Sequence, residues 1–278
     1  MSSIRLTLKH APALRLDARG LTPAALAGLN TGAIERIELA HGNQLLPLAE
    51  FFSVALADGD GDGDEEVVFD GDLSRVDHIG WQLAAGRIVV TGSVGDYLGG
   101  CMTAGELIVH GDAGALAACE MAGGKLIVKG SVSDFAASTL AGSMDGMRGG
   151  QFIVGGNAGE RFGDRMRRGT AIVFGDVGDF AASRMVAGTI AIGGRAGKHV
   201  GYGMRRGSVV FADAAQLGDV PMAPTFVPAL VDAAVIWQLL ARDLAQHGGA
   251  FAGLASRKIT RRLGDISAAG KGELIFAS

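Results

Sequence analysis

Between residues 83 and 211 the apolar and polar positions of the chain repeat. Leu83, Met102, Met121, Met147, Met166, Met185 and Met204 are equivalent, at steps of 19, 19, 26, 19, 19 and 19 residues. Each is followed three positions later by a glycine and then by a short β-type run: RIVV, ELIVH, KLIVK, QFIV, TAIVF, TIAI and SVVF. A fixed period in this range is the mark of a solenoid. A strand of four or five residues cannot stand alone. Strands one chain turn apart can stack in parallel and satisfy each other's N–H and C=O groups. The pattern predicts a mainly β solenoid of seven coils, about 19 residues per coil.

In register, the coils separate into columns. The methionines should point inwards as a stacked core. A Met-lined metal path would need soft ligands converging on one point, whereas one thioether per rung is the spacing of core filler. Leu107, Leu126, Phe152, Ala171, Ile190 and Val209 align, as do Val109, Val128, Val154, Val173, Ile192 and Phe211. Strand alternation points both columns inwards. The column between them, Ile108, Ile127, Ile153, Ile172, Ala191 and Val210, should face out, yet it is apolar. So long an aliphatic stripe is unusual on a free surface. It is expected to be covered, either by the chain's own terminal segments or by another subunit. Ile108, Ile127, Ile153 and Ile172 are therefore the candidate partner interface. The 26-residue step holds a seven-residue insertion within 131–146, a surface loop that is either a contact point or a tolerated excursion.

Residues 1–66 read differently. IRLTLK and ALRLD alternate as strands, Thr22 caps a short helix with Pro23 at its first position, and IERIELA and NQLLPLAEFF continue a strand-rich pattern. This predicts a small α+β cap over one end of the solenoid, as such arrays require. The run DGDGDGDEE at 58–66 invites a calcium reading. Counting an EF-hand loop from Asp58 puts Phe69 at the bidentate position, so an acidic surface hairpin is expected instead. VVFDG at 67–71 resembles an imperfect first rung. Beyond residue 211 the glycine spacing stops. Residues 228–248 read as one helix, with Leu230, Ala234, Trp237, Ala241 and Leu244 on its buried face. ELIF at 273–276 adds a final strand. The division is a cap over 1–66, the repeat domain over 67–212 and a C-terminal helical extension over 213–278.

Composition narrows the chemistry. Thirty of the 45 glycines lie between residues 80 and 207, so the glycine excess belongs to the repeat. A net charge of −4 gives no case for nucleic acid, and no apolar run is long enough for a membrane span. The polar start MSSIRLTLKH is unlike a secretory leader, and two cysteines, Cys101 and Cys119, suit a reducing compartment. A cytoplasmic chain is expected. The six histidines are scattered and none is paired at metal-ligand spacing. No nucleophile–base arrangement or Walker loop is present. GSVGDYLGG resembles a dinucleotide fingerprint, but its relatives recur in every coil and no helix follows them. One polar feature stands apart, an arginine column of Arg148, Arg167, Arg168, Arg205 and Arg206, interrupted at Val186. It is either a basic track for an acidic partner or carboxylate-rich ligand, or a set of local pairs with acids such as Glu160, Asp164, Asp176 and Asp179.

Units of the form M-x-G-G-x-[LIF]-I-V-x-G-x-[AV]-G resemble the GXGXG repeat domain at the C-terminal end of large glutamate synthase subunits. With a cap before and a helix after, the arrangement is similar to the C subunit of formylmethanofuran dehydrogenase and of the bacterial formyltransferase/hydrolase complex. The repeat carries this resemblance over about residues 67–212. It implies a right-handed parallel β-helix with no catalytic residue, cofactor or metal of its own. It also implies partners that carry the chemistry: a zinc amidohydrolase-like A subunit, a B subunit bearing tungsten or molybdenum in the dehydrogenase, and a formyltransferase. The bacterial complex moves a formyl group from tetrahydromethanopterin to a methanofuran-type carrier and releases it as formate during formaldehyde oxidation. That carrier bears glutamate residues, and this chain would meet it directly or through its partners. The chain has 19 Arg to six Lys, a bias of GC-rich bacterial genomes. The expectation is a structural subunit of the formate-producing complex. The alternatives are the C subunit of the dehydrogenase, or a stand-alone glutamate synthase GXGXG domain.

Overall fold

Parallel strand pairing organises the structure, a computed structural model that describes residues 2–58, 65–214, 223–230 and 234–278. Its strands are β1 (Ser2–Leu8), β2 (Leu16–Asp17), β3 (Glu38–His41), β4 (Gln44–Pro47), β5 (Phe52–Asp58), β6 (Glu66–Asp70), β7 (Val76–Asp77), β8 (Arg87–Val90), β9 (Glu106–Val109), β10 (Lys125–Val128), β11 (Arg148–Val154), β12 (Arg168–Val173), β13 (Thr189–Ile192), β14 (Arg206–Phe211), β15 (Val227–Pro228), β16 (Ile259–Gly264) and β17 (Lys271–Ala277). The helices are α1 (Pro23–Leu26), α2 (Thr31–Glu35) and α3 (Ala234–Ala245). Among the described residues the chain is mainly β. One sheet of 13 strands runs in the order β15-β16-β17-β14-β13-β12-β11-β10-β9-β8-β6-β1-β5, and a smaller one in the order β4-β3-β2-β7.

From β1 through β6, β8 to β14 and on to β17, every neighbouring pair in the large sheet is parallel. Antiparallel β5 closes one end, and β16 with β15 closes the other. A second line of parallel bridges links Leu73, Val94, Ala113, Val132, Ala158, Val177 and Ala196. The parallel series is longer than the seven coils read from the glycine period. VVFDG lies in β6 as a full member, and ELIF lies in β17, which pairs with β14 so that Gly272 falls opposite Gly207. The period missed β17 because some 60 residues without the repeat precede it.

The inward columns form one core. Leu83 and the six methionines aligned with it are at most 1% exposed, and so are the inward residues at both strand positions. Glycine is needed where successive repeats touch. At Gly105, φ is +79° and an added Cβ would stand 2.6 Å from the Gly86 carbonyl oxygen. The preceding corners are also left-handed but not glycine. His78, Tyr97, Leu116, Phe135, Arg161, Phe180 and His199 have φ between 56° and 62°. Apart from His199, each donates its N–H to a carbonyl of the next repeat, as Tyr97 does to Ala115 at 2.8 Å. These bonds offset the cost of the left-handed conformation, on the order of 1 kcal/mol each.

At the N-terminal end, Thr22 caps α1 as the sequence predicts, its side chain accepting from Ala25 N with Pro23 at the first turn. Only the two ends of the 58–66 acidic run fall within the described residues, and the expected hairpin tip lies outside them. The C-terminal helix is shorter than the 228–248 reading. Pro228 pairs with Arg262 in β15, and Leu230 is 97% exposed, not buried. Residues 231–233 and the side chain of Ala234 lie outside the described residues. Trp237, Ala241 and Leu244 do form the buried face of α3. No helix among the described residues is long and apolar enough to cross a membrane.

Candidate basic groove

The turn after each methionine sets the next strand's first residues at one edge of the stack. There Arg148 N donates to Met121 O, Arg167 N to Met147 O and Arg205 N to Met185 O, so the backbone fixes the arginines one repeat apart. Arg148 and Arg168 are direct partners in the β11–β12 register. Together Arg148, Arg167, Arg168, Arg205, Arg206 and Lys271 line a groove of about 570 Å³, floored at its gap by Val186 and Ala187. The interruption at Val186 does not break the track; it opens it. Lys271 arrives on β17, far away in sequence.

None of the acids that the sequence offered as local partners pairs with the track among the described residues. Asp164 accepts from Ser183 Oγ at 2.5 Å and from Arg184 Nη2 at 2.6 Å. Asp176 and Asp179 accept the backbone N–H groups of Arg195 and Lys198, and Glu160 forms no ion pair with the track among the described residues. Two other carboxylates reach the track: Glu120 lies 3.7 Å from Arg148, and Asp145 of the insertion pairs with Arg167. Arg168, Arg205, Arg206 and Lys271 have no carboxylate partner among the described residues. Four cations over one groove without counter-charge attract anions.

The outward aliphatic column is divided. Ile153 and Ile172 are buried with Ala191 and Val210 against Trp237, Ala241 and Leu244 of α3 and against Phe251 and Leu254 beyond it. As a partner interface those two are corrected by the chain's own cover. Ile127 is partly buried at the margin of that cluster. Ile108 is partly buried and belongs to neither buried cluster of the described residues.

Cys101 and Cys119 are free thiols in adjacent repeats, joined by a 2.8 Å bond from Cys101 N to Cys119 O. Burial raises the Cys101 thiol pKa, and burial with Cys101 and Glu120 nearby pushes Cys119 up to about 12. Neither is poised as a nucleophile. Burial also lowers the pKa of His78, against the pull of Asp17 and with help from Arg19. Among the described residues no group of three or more His, Cys, Asp or Glu is gathered to hold a metal.

Sequence reasoning missed two features. One is the corner stack: Tyr97 lies parallel to His78 at 4.6 Å, Arg161 sits between Phe135 and Phe180, and His199 stacks on Phe180. The other is a pair of polar ladders, one through Asp112, Asn157 and Asp176 and one through Asp77, Asp96, Asp134 and Asp179, in which each side chain accepts an N–H from the following repeat. The signal for both was the same 19-residue spacing, applied to columns other than Met and Gly.

The family described as GXGXG motif matches residues 73–228. The C subunit of tungsten-containing formylmethanofuran dehydrogenase 2 from Methanothermobacter wolfeii is 36% identical over 94 residues, 34% of this chain and 35% of the relative. The C subunit of the formyltransferase/hydrolase complex Fhc from Methylorubrum extorquens is 38% identical over 81 residues, 29% of each. The matched segment thus spans about a third of the first of these curated relatives. A chain of the crystal structure of the formyltransferase/hydrolase complex (FhcABCD) from Methylorubrum extorquens, in complex with methylofuran, superposes with a TM-score of 0.89. It is 36% identical, with 99% of both chains covered.

Proposed function

The chain belongs to the GXGXG family, and from that premise we propose that it is a non-catalytic structural subunit of a formyltransferase/hydrolase complex in the cytoplasm. That complex converts formyl-tetrahydromethanopterin, through a formylmethanofuran-type carrier, to formate. The observation that carries this reading is the fold match over 99% of both chains to a subunit of such a complex. The partners are an amidohydrolase-like A subunit with zinc, a B subunit and a formyltransferase. Relatives named as the C subunit of tungsten-containing formylmethanofuran dehydrogenase favour one second reading, the same role in that enzyme.

In this reading residues 67–212 wind as a right-handed parallel β-helix between the cap, 1–66, and the C-terminal extension, 213–278. The in-register parallel strands and the second line of bridges support the winding. The basic groove holds the carboxylate-rich part of the carrier, supported by four cations that lack counter-charges among the described residues. Ile108 and Ile127 remain as the interface with another chain. Affinity purification of the tagged chain from its host, with mass spectrometry of the co-purifying proteins, tests the assignment. Recovery of a formyltransferase and an amidohydrolase-like chain in stoichiometric amounts is the expected result. Recovery of glutamate synthase parts, or of nothing, overturns it.

A further inference from the structure

The outer face of the sheet changes character at β11. Beside the aliphatic column, the first flank reads Glu66, Arg87, Glu106, Lys125 and then Gln151, Thr170, Thr189, Ser208. The second flank, one residue past the strands, reads Thr91, His110, Lys129 and then Gly155, Phe174, Gly193, Ala212. From β11 to β14 the flanks carry no charge, Glu273 of β17 coming next, and α3 with the segment after it covers this stretch: Phe251 packs on Phe174 at 5.2 Å, and His247 meets Gln151 at 3.2 Å. In the charged half, Arg87 and Lys125 are paired with Glu66 and Glu106, and between the flanks Val89, Ile108 and Ile127 stay only partly buried. That column spans two strand spacings, about 10 Å. Two turns of helix match it.

The same molecule carries an unused apolar helix face. Opposite the buried Trp237, Ala241 and Leu244, α3 exposes Val235 by 75%, Ile236 by 65% and Leu239 by 66%, and Arg242 and Asp243 are also exposed. Helix and open column lie end to end on one side of one sheet. A two-fold axis parallel to the strands at the β10–β11 boundary brings both pairs together at once, helix over column and column under helix, as an isologous contact requires.

We propose that this face binds a second copy of this chain, each α3 lying across the other's Val89, Ile108 and Ile127. The inference rests on the reading of the column as an interface and names its occupant.

The test uses the full chain, and the whole complex in parallel. Sedimentation equilibrium of the purified chain should give a dimer, and Leu239→Glu or Ile108→Glu should each weaken it by about 100-fold or more, since each change enters the interface twice. Both side chains face outwards, so unchanged circular dichroism and melting of the variants guards against misfolding. Mixing a Leu239→Cys chain with an Ile108→Cys chain should yield an intermolecular disulfide under mild oxidation. A monomeric parent chain, a dimer indifferent to both Glu variants, or cross-links from residue 108 to a different subunit would each overturn the proposal. Loss of the formyltransferase from the purified complex, with the dimer intact, would instead count against the functional reading alone.

Discussion

Asp176 Oδ1 accepts the backbone N–H of Arg195, one repeat further along, at 2.6 Å. Asn157 does the same for Asp176 at 2.8 Å. Acceptance matters at this position, not charge. Asp176→Asn should therefore leave stability nearly unchanged, while Asp176→Ala should cost about 1 kcal/mol. Urea denaturation of the two variants separates these outcomes; equal losses would show that the carboxylate charge matters.

Close approach of the repeats makes some glycines irreplaceable. A Cβ at Gly123 would stand 2.2 Å from the Thr103 carbonyl oxygen, whereas at Gly20 it would meet nothing within 4 Å. Gly123→Ala should cost about 3 kcal/mol through backbone displacement. Gly20→Ala should be neutral in the same melting experiment.

The Cys119 thiol keeps its proton in the folded chain until about pH 12, against an ordinary value of 9.0. Between those values the unfolded chain binds fewer protons than the folded one, so folding stability must fall as pH rises through that window, by up to about 1.4 kcal/mol per pH unit. Burial raises the Cys101 thiol pKa as well and adds to the slope. Denaturation midpoints at pH 8 and pH 10.5 should diverge in the parent, and Cys119→Ala should flatten the difference. Below pH 8 the two proteins should show parallel pH dependence.

Trp237 anchors α3 over Ile153 and Ile172. Trp237→Ala should destabilise the chain by about 3–5 kcal/mol and uncover the C-terminal half of the aliphatic column. Binding of a hydrophobic dye, absent in the parent, is the direct readout.

The groove arginines are surface charges and dispensable for folding. Replacing Arg168, Arg205 and Arg206 together with Ala should leave melting within a degree or two and weaken binding of an oligo-glutamate probe. Salt should weaken the parent's binding and have less effect on the triple variant. Equal affinity in both proteins would remove the groove from the proposed function.

The repeat was legible because a side chain's inward position must suit neighbours that are copies of itself: Met102 stacks on Met121 and calls for the same residue. Length and cover were not legible from glycine spacing. β17 completes the parallel series because Leu274 and Phe276 continue the columns that run to Val209 and Phe211, a match that only register reveals. The arginine track was visible as a column. Its correct counter-charges, Glu120 and Asp145, were not, because which corner a residue occupies depends on turn geometry. The change from Lys125 to Gln151 and from Lys129 to Gly155 marks the edge of α3's cover in the sequence itself, but on the flanks and not in the aliphatic column between them.

The seven extra residues between Ser138 and Gly146 are followed by a local shift of register between Arg148 and Gln151, beyond which the pairing resumes: Lys125 meets Gln151, and Gln151 meets Thr170. Length added at this seam is absorbed before Gln151, and the strand order on either side is kept. The stack therefore behaves as a ruler graduated in whole repeats, about 4.8 Å each, with one place where cargo can be hung without moving a mark. A reporter or an affinity handle grafted there would report on the assembled protein, and a deletion of 19 residues elsewhere would shorten the ruler by one graduation and leave its reading edge straight.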